Sequence, residues 1–313
     1  MAFRTYTTPN PDPISIFLPV MSSAAEPTPS AAPGPAPPAA TPLPHRSQSP
    51  EQQNVTPAAA DHPRPSPDFS LPKLRLEIRD LNNPAATHFL SAVTASTALA
   101  DSVRSVLSLL YDSPSCPTTH VPPTRSVTLI VRDMDGVAYT TGSDLDDDHK
   151  EIHFSMSYIA GIPAERRTAE IMGVLTHEMV HCFQYNAHGT CPGGLIEGIA
   201  DWVRLHANLS PPHWKREASG NWDAGYQHTG YFLDYLEGRF GTGTVRRVNE
   251  KLRTQHYGEK KFWTELLGRP VEQLWNDYAE KIKDDEAVIV NKDDISDDDV
   301  RLGRIRAADE LVQ

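Results

Sequence analysis

The stretch Thr176-His177-Glu178-Met179-Val180-His181 decides how this chain folds and what chemistry it carries. Residues four apart on a helix project from the same face, so His177 and His181 can bind one cation through their ring nitrogens. Glu178 is turned aside by one position and can take a proton from a water bound to that cation. The pattern predicts a Zn²⁺ site with His177 and His181 as ligands and Glu178 as general base.

A catalytic zinc site needs a third protein ligand, and three downstream residues are candidates. His188 lies one position beyond the last histidine of the metzincin pattern, which falls on Ala187 here. Asp201 is a second candidate, as in zinc peptidases with an aspartate ligand. Glu197 is favoured, because the spacing of Glu197 and Asp201 resembles that of the gluzincins. That resemblance implies that Glu197 binds the metal and that Asp201 hydrogen-bonds a ligand histidine and fixes its orientation.

Peptide hydrolysis also requires a group that stabilises the oxyanion formed on the attacked carbonyl. The segment 225–231 offers Tyr226, His228 and Tyr231, of which Tyr226 is the first choice. An extended peptide commonly pairs with a sheet edge, and the predicted strand at 151–157 is the expected edge. We therefore predict a zinc-dependent peptidase acting on peptide or protein substrates. The alternatives are an inactive protein of the same fold that binds a partner, and a zinc hydrolase of a non-peptide amide or ester.

The predicted elements run from strands with one helix to a series of helices, which indicates an α+β fold with a small mixed sheet. The run 144–148 reads as a solvated acidic loop, because it lacks the glycine and final glutamate of a calcium-binding loop. Alternating or β-branched stretches predict strands, and longer apolar periodicities predict helices. The strands are 73–79, 126–132, 137–140 and 151–156, and the helices are 85–111, 164–186, 195–208, 224–239, 243–253, 258–267 and 270–283.

Composition separates the chain into three regions. Residues 1–70 hold 17 of the 28 prolines and predict a disordered Pro/Ala-rich region. Residues 284–313 hold ten acidic and four basic residues, half of the formal net charge of −12, and predict an acidic tail in which a helix at 298–311 can form. The domain between them, 71–283, is only weakly acidic and gives no electrostatic reason to bind nucleic acid.

Three further features concern redox state and location. The cysteines leave open either a pair between Cys182 and Cys191 or free buried thiols. The sequence has no apolar run long enough to span a membrane. The apolar run 14–21 is interrupted by Pro19 and preceded only by Arg4, which is unlike a signal peptide. The default expectation is a cytoplasmic protein, with secretion as the alternative.

Longer motifs surround the zinc signature, at 175–181, 192–205, 212–214, 222–226, 232–235 and 271–278. Together they resemble the plant basic secretory protein family of zinc metallopeptidases, which also has fungal members, and this chain is expected to be a fungal-type member. The likeness covers about residues 72–283. It implies a zincin-like, gluzincin-type fold, a zinc-dependent peptidase activity, and a site formed by His177, Glu178 and His181. Plant members of that family are typically secreted and basic, whereas this chain is acidic, so secretion stays the alternative expectation.

Overall fold

The computed structural model describes residues 68–287 of the chain. The disordered Pro/Ala-rich region and the acidic tail predicted above, including the helix at 298–311, lie outside these residues except for a few positions at each boundary. Within the described part, a small sheet is followed by a series of helices, which confirms the α+β class. The last helix continues to residue 287, so it extends beyond the predicted end at 283 into the acidic segment.

The strands are β1 (Lys73–Ile78), β2 (Ser126–Arg132), β3 (Ala138–Ser143) and β4 (Asp146–Ser155). They form one mixed sheet in the order β1-β2-β4-β3. β2 pairs parallel with β1 and β4, and β3 pairs antiparallel with β4. Leu129 of β2 and Ile152 of β4 pair on one face of the sheet and are fully buried, and Ile130 on the opposite face is buried as well.

The helices supply most of the remaining structure, and the predicted helical C-terminal half is confirmed. α4 is preceded by a short 3₁₀ turn, Ala164–Arg166. The helices are α1 (Pro84–Ala92), α2 (Ala95–Leu110), α3 (Met156–Gly161), α4 (Arg167–His181), α5 (Gly193–His206), α6 (Tyr226–Phe240), α7 (Thr244–Thr254), α8 (Glu259–Leu267) and α9 (271–287).

The single helix predicted at 85–111 is wrong, because the chain breaks between α1 and α2. Val93 and Thr94 have extended backbone there. Two β-branched residues in succession favour that conformation, and Val93 is buried in the core. The Thr168 hydroxyl donates to the Ala92 carbonyl at 2.9 Å, which satisfies an acceptor at the end of α1. Apolar periodicity alone does not distinguish one long helix from two in sequence.

The zinc-motif helix is shorter than the predicted 164–186. α4 ends at His181, and the Cys182 amide donates to the Met179 and Val180 carbonyls to close the last turn. Phe183 continues the apolar spacing and is buried, but it lies in the loop that leads to α5. The apolar periodicity therefore predicts correctly which residues are buried, but it predicts an end of the helix that is too far along the chain.

Strand β4 differs from its prediction in both length and place. It begins at Asp146, so the acidic run 144–148 is partly strand, and Arg125 pairs with Asp146 and Asp148. β4 has β2 on one side and β3 on the other. The prediction that 151–157 forms the open edge is therefore wrong. The edges of the described sheet are β1 and β3.

Helices α4 and α5 pack face to face in the core and bring the motif residues together. Leu175, Met179 and Ile199 are fully buried between them and their neighbours. At the end away from the motif histidines, Arg204 of α5 forms an ion pair with Glu170 of α4 at 3.1 Å, with both side chains nearly buried. This pair ties the two helices together at a second point.

Two expectations about cysteines and membranes can be compared with the described residues. All three cysteines are free, so the alternative of a bond between Cys182 and Cys191 is wrong. None of the helices described here has the length and apolar character needed to cross a bilayer.

Candidate metal centre

His177, His181 and Glu197 bring three ligand atoms to one point between α4 and α5. His177 Nε2 lies 3.0 Å from Glu197 Oε2 and 3.3 Å from His181 Nε2. His181 Nε2 lies 3.8 Å from Glu197 Oε2. Within residues 68–287, this is the group of His, Cys, Asp and Glu side chains whose ligand atoms all lie within 4.8 Å of one another. The structure thus places together the three residues predicted as metal ligands.

Asp201 holds His177 from the side of the ring opposite to this point. His177 Nδ1–H donates to Asp201 Oδ1 at 2.7 Å, and both side chains are buried. Burial alone would lower the pKa of His177, but the carboxylates of Asp201 and Glu197 outweigh burial and raise this pKa to about 10. The bond with Asp201 turns His177 Nε2 towards Glu197. Asp201 itself lies behind the ring, away from the point where a shared ligand atom would be needed.

Gln184 plays the corresponding part for His181. Its amide nitrogen donates to the Ile196 carbonyl at 3.1 Å, so its amide oxygen faces His181 and accepts from Nδ1–H at 2.9 Å. This arrangement directs His181 Nε2 at His177 and Glu197. Because Ile196 precedes Glu197 in α5, Gln184 also links the end of α4 to the helix that carries the third ligand.

The start of α5 is packed so closely that two of its positions admit only glycine without rearrangement. A Cβ added to Gly194 would lie 1.7 Å from the Asp223 main-chain oxygen, and one added to Gly198 would lie 2.3 Å from Thr229 Cγ2. Glu197 lies between these two contacts. The close packing of α5 against the 223–229 segment therefore fixes where the Glu197 side chain begins.

Glu197 is ionised in this setting. Burial alone would raise the pKa of Glu197, but the hydrogen bond from His177 and the charge of His181 outweigh burial and lower this pKa. A carboxylate oxygen is therefore available to a cation at neutral pH.

Glu178 follows His177 directly in α4 and is 6 % exposed. Thr140 of the edge strand β3 donates from Oγ1 to Glu178 Oε2 at 2.8 Å. The same hydroxyl lies 3.0 Å from the main-chain oxygen of Glu178. The hydrogen-bond partner of the predicted general base is thus on the strand β3 and not on the second helix.

Tyr226 is the oxyanion candidate that the structure places beside the ligands. Its ring stacks on His177 with a centroid distance of 6.1 Å and an interplanar angle of 15°, and it is 49 % exposed. Gly225, at φ 89°, makes the turn before it, and the Thr229 hydroxyl accepts from the Gly225 amide and donates to the Trp222 carbonyl. Partial burial and the nearby carboxylates raise the pKa of Tyr226, so its hydroxyl stays protonated.

The other two oxyanion candidates face elsewhere. His228 is buried with its ring 4.9 Å from that of Trp275. Tyr231 packs against Trp214 at 6.4 Å between ring centroids and lies under the guanidinium of Arg216. Both side chains take part in packing around α6 and α9, and the structure does not bring them to the ligand group.

His188, the alternative third ligand, lies in the loop between α4 and α5. Ala187, His188 and Gly189 have positive φ values of 55°, 55° and 81°, which turn the chain back towards α5. The His188 ring is exposed and lies 5.2 Å from the ring of His256, in the connection between α7 and α8. It is not part of the ligand group.

A comparison with known protein families matches residues 71–278 to one of them, BSP, described as a peptidase of plants and bacteria. The chain belongs to the BSP family. The match confirms the resemblance to basic secretory proteins, and it assigns the described fold, from β1 into α9, to a family of peptidases. No match was found among the curated proteins or among the solved structures.

Three residues of this BSP domain that shape the site were missed by the sequence reasoning. Gln184 had a usable signal, since it lies three residues after His181 and so on the same side of the chain. No local sequence pattern pointed to Thr140 or Thr229. Thr140 meets Glu178 across 38 residues of sequence, and Thr229 meets α5 from the next helix.

Proposed function

We propose that this chain is a zinc-dependent peptidase in which His177, His181 and Glu197 bind Zn²⁺ and Glu178 is the general base. The observation that carries the proposal is the convergence of two ring nitrogens and one carboxylate oxygen, with the buried Glu178 directly after His177 in the same helix. Membership of a peptidase family supports peptide bonds as the substrate. A mixed sheet, a motif helix and a second ligand helix also support a zincin-like fold of gluzincin type as part of the proposal.

The three ligand atoms fit the size and chemistry of a zinc ion. Bonds of about 2.0–2.1 Å place neighbouring ligand atoms of a tetrahedral zinc about 3.3 Å apart. The separations here are 3.0, 3.3 and 3.8 Å. Two imidazoles and one carboxylate leave a fourth position for water, which catalytic zinc sites have and structural sites lack. Asp201 and Gln184 are outer partners of the kind that orient ligand histidines.

Each side chain around the ligands has a distinct part in the proposed reaction. A zinc ion bound there would lower the pKa of a coordinated water towards about 7 and polarise the carbonyl under attack. Glu178 accepts the proton of the attacking water and then gives it to the leaving amine. Tyr226 donates its hydroxyl hydrogen bond to the oxyanion, since its ring lies over His177 and the hydroxyl is protonated.

The free edge of β3 is the proposed track for an extended peptide. β3 is an edge strand of the described sheet, and its Thr140 contacts Glu178 directly. A peptide that pairs with this edge presents its main chain next to the general base. This assignment replaces the predicted edge at 151–157 and supports a peptide over a small amide as substrate.

The proposal is tested by one paired measurement on the wild type and Glu178→Gln. Zinc per chain is measured by mass spectrometry, and hydrolysis is followed with casein and with a quenched fluorescent peptide library. Both proteins are expected to hold zinc, and the variant is expected to lose about 10²–10⁴-fold in turnover, the contribution typical of a general base. Glu165→Gln, at an exposed glutamate just before α4, is the matched control and is expected to be fully active.

Other outcomes separate the remaining readings. Equal turnover in wild type and Glu178→Gln contradicts the general-base role. A zinc-free wild type contradicts the metal assignment. Zinc binding without any hydrolysis points to an inactive binding protein. Hydrolysis of N-acyl amides or esters but not of peptides, lost in Glu178→Gln, points to a non-peptide hydrolase.

A further inference from the structure

The contact between Thr140 and Glu178 is a polar link between the sheet and the proposed general base. Within the described residues, the bond from Thr140 Oγ1 at 2.8 Å is the hydrogen bond found on the Glu178 carboxylate. A glutamate side chain has several rotatable bonds, and a carboxylate with a single partner takes its direction from that partner. The position of the Thr140 hydroxyl therefore sets where the carboxylate points.

The hydroxyl also contacts the main chain of the same residue. Thr140 Oγ1 lies 3.0 Å from the Glu178 carbonyl oxygen, near the end of α4. The Cys182 amide bonds the Met179 and Val180 carbonyls instead, so it does not satisfy the Glu178 carbonyl. One hydroxyl thus lies between the main-chain and side-chain oxygens of Glu178 and holds the carboxylate folded back towards the strand.

The strand supplies this hydroxyl in a fixed place. Thr140 pairs with Ile152 in the ladder between β3 and β4, and Ile152 is fully buried in the core. The side chains of a strand alternate between faces, so Thr140 points to the helices and Thr141 points away from them. The Thr141 hydroxyl bonds only the carbonyl of its neighbour, Gly142, at 3.2 Å.

We propose that Thr140 is a positioning residue for the peptidase reaction, which holds Oε2 of Glu178 so that Oε1 faces the attacking water. This inference rests on the proposed function, since it assumes that Glu178 is the general base. Thr140 touches neither the metal ligands nor the substrate carbonyl in this assignment. Its loss is therefore expected to lower kcat while KM and zinc affinity stay unchanged.

The test compares Thr140→Val, Thr140→Ser and Thr128→Val with the wild type. Thr128 lies on the central strand β2, outside the proposed peptide track. Valine keeps the shape and strand preference of threonine and removes the hydroxyl, whereas serine keeps the hydroxyl. Thr140→Val is expected to lose about 10–100-fold in kcat, the range typical of outer partners in metal sites, with wild-type KM and zinc affinity. Thr140→Ser is expected to recover most of the rate, and Thr128→Val to match the wild type.

The results that overturn the inference differ from those that overturn the proposed function. Wild-type kcat in Thr140→Val contradicts the positioning role, and so does an equal loss in Thr140→Ser, which would assign the effect to packing. A rise in KM or a fall in zinc affinity in Thr140→Val, as large as the fall in kcat, also contradicts it. If Glu178→Gln is fully active, the proposed function itself fails, whatever the threonine variants show.

Discussion

The helix pair α4–α5 and the edge strand β3 meet at one site but are built by different kinds of contact. On the helices, His177 and His181 lie one turn apart, and Glu197 and Asp201 repeat that spacing on the next helix. Their separations follow from local helix geometry and one close helix contact. On the strand, Thr140 reaches Glu178 only because the sheet docks beside α4. In the proposed site the helices therefore supply the metal ligands, and the strand is expected to determine turnover.

The largest expected effect on the helix side comes from removal of the third ligand. Glu197→Ala is expected to weaken zinc affinity by well over about 100-fold, since even outer partners of zinc ligands contribute about 10–100-fold. Competition with a chromophoric zinc chelator measures this. Glu272→Ala, an exposed glutamate on α9, is the control and should bind zinc as the wild type does. Unchanged zinc affinity in Glu197→Ala would remove Glu197 from the ligand set.

The next effect concerns the outer partners of the two histidines. Asp201→Asn and Gln184→Leu are each expected to lower zinc affinity by about 10–100-fold. Asp201→Asn removes the charge behind His177, and Gln184→Leu removes the acceptor that orients His181. The same chelator competition measures both. If Asp201→Asn and Gln184→Leu keep full zinc affinity while Thr140→Val loses it, metal binding depends on the strand and not on the helices, which contradicts the comparison.

These expectations show what was predictable from sequence. The histidine spacing, the Glu197–Asp201 spacing and the α+β class all depend on local periodicity. The structure has the α+β class and brings His177, His181 and Glu197 close together. The placement of the open edge was not predictable in the same way. The position of β4 just before the motif helix in sequence predicts it as the edge, whereas β3 pairs with β4 and covers that side. Strand order depends on long-range pairing, which a single sequence does not reveal.

The ends of helices and the break between α1 and α2 were also not predictable from the sequence. The break at Val93 and Thr94 and the early end of α4 depend on contacts with distant segments of the same chain. One such contact is the hydrogen bond from the Thr168 hydroxyl to the Ala92 carbonyl. Apolar spacing continues through both points. It reports which side of the chain is buried and not whether the backbone stays helical.

A smaller effect is expected from the packing that positions α5. Gly194→Ala would place a Cβ against the main chain of Asp223, which cannot move aside as a side chain can. We expect it to lower the free energy of unfolding by about 1–3 kcal/mol, the usual cost of overpacking. Gly193→Ala is the matched control, because no atom lies within 4 Å of its added Cβ. Equal melting curves for the two variants would contradict the close contact at α5.

The smallest effect concerns the thiols at the two ends of the loop between α4 and α5. Burial raises the pKa of the Cys182 thiol, and it raises that of Cys191 to about 12. Hydrogen bonds involving Thr118 lower the pKa of Cys116, which lies far from this loop in sequence. Because the thiolate is the reactive form, iodoacetamide at neutral pH should alkylate Cys116 first. Peptide mapping by mass spectrometry checks the order, and early labelling of Cys182 would show that the loop is open.

The central claim, that α4 and α5 together hold a zinc ion, is tested most directly by anomalous diffraction at the zinc absorption edge from zinc-loaded crystals. The account predicts one strong peak, about 2.0–2.2 Å from His177 Nε2, His181 Nε2 and a carboxylate oxygen of Glu197. A peak coordinated by His188 or Asp201 in place of Glu197, or no peak between the two helices, would contradict it.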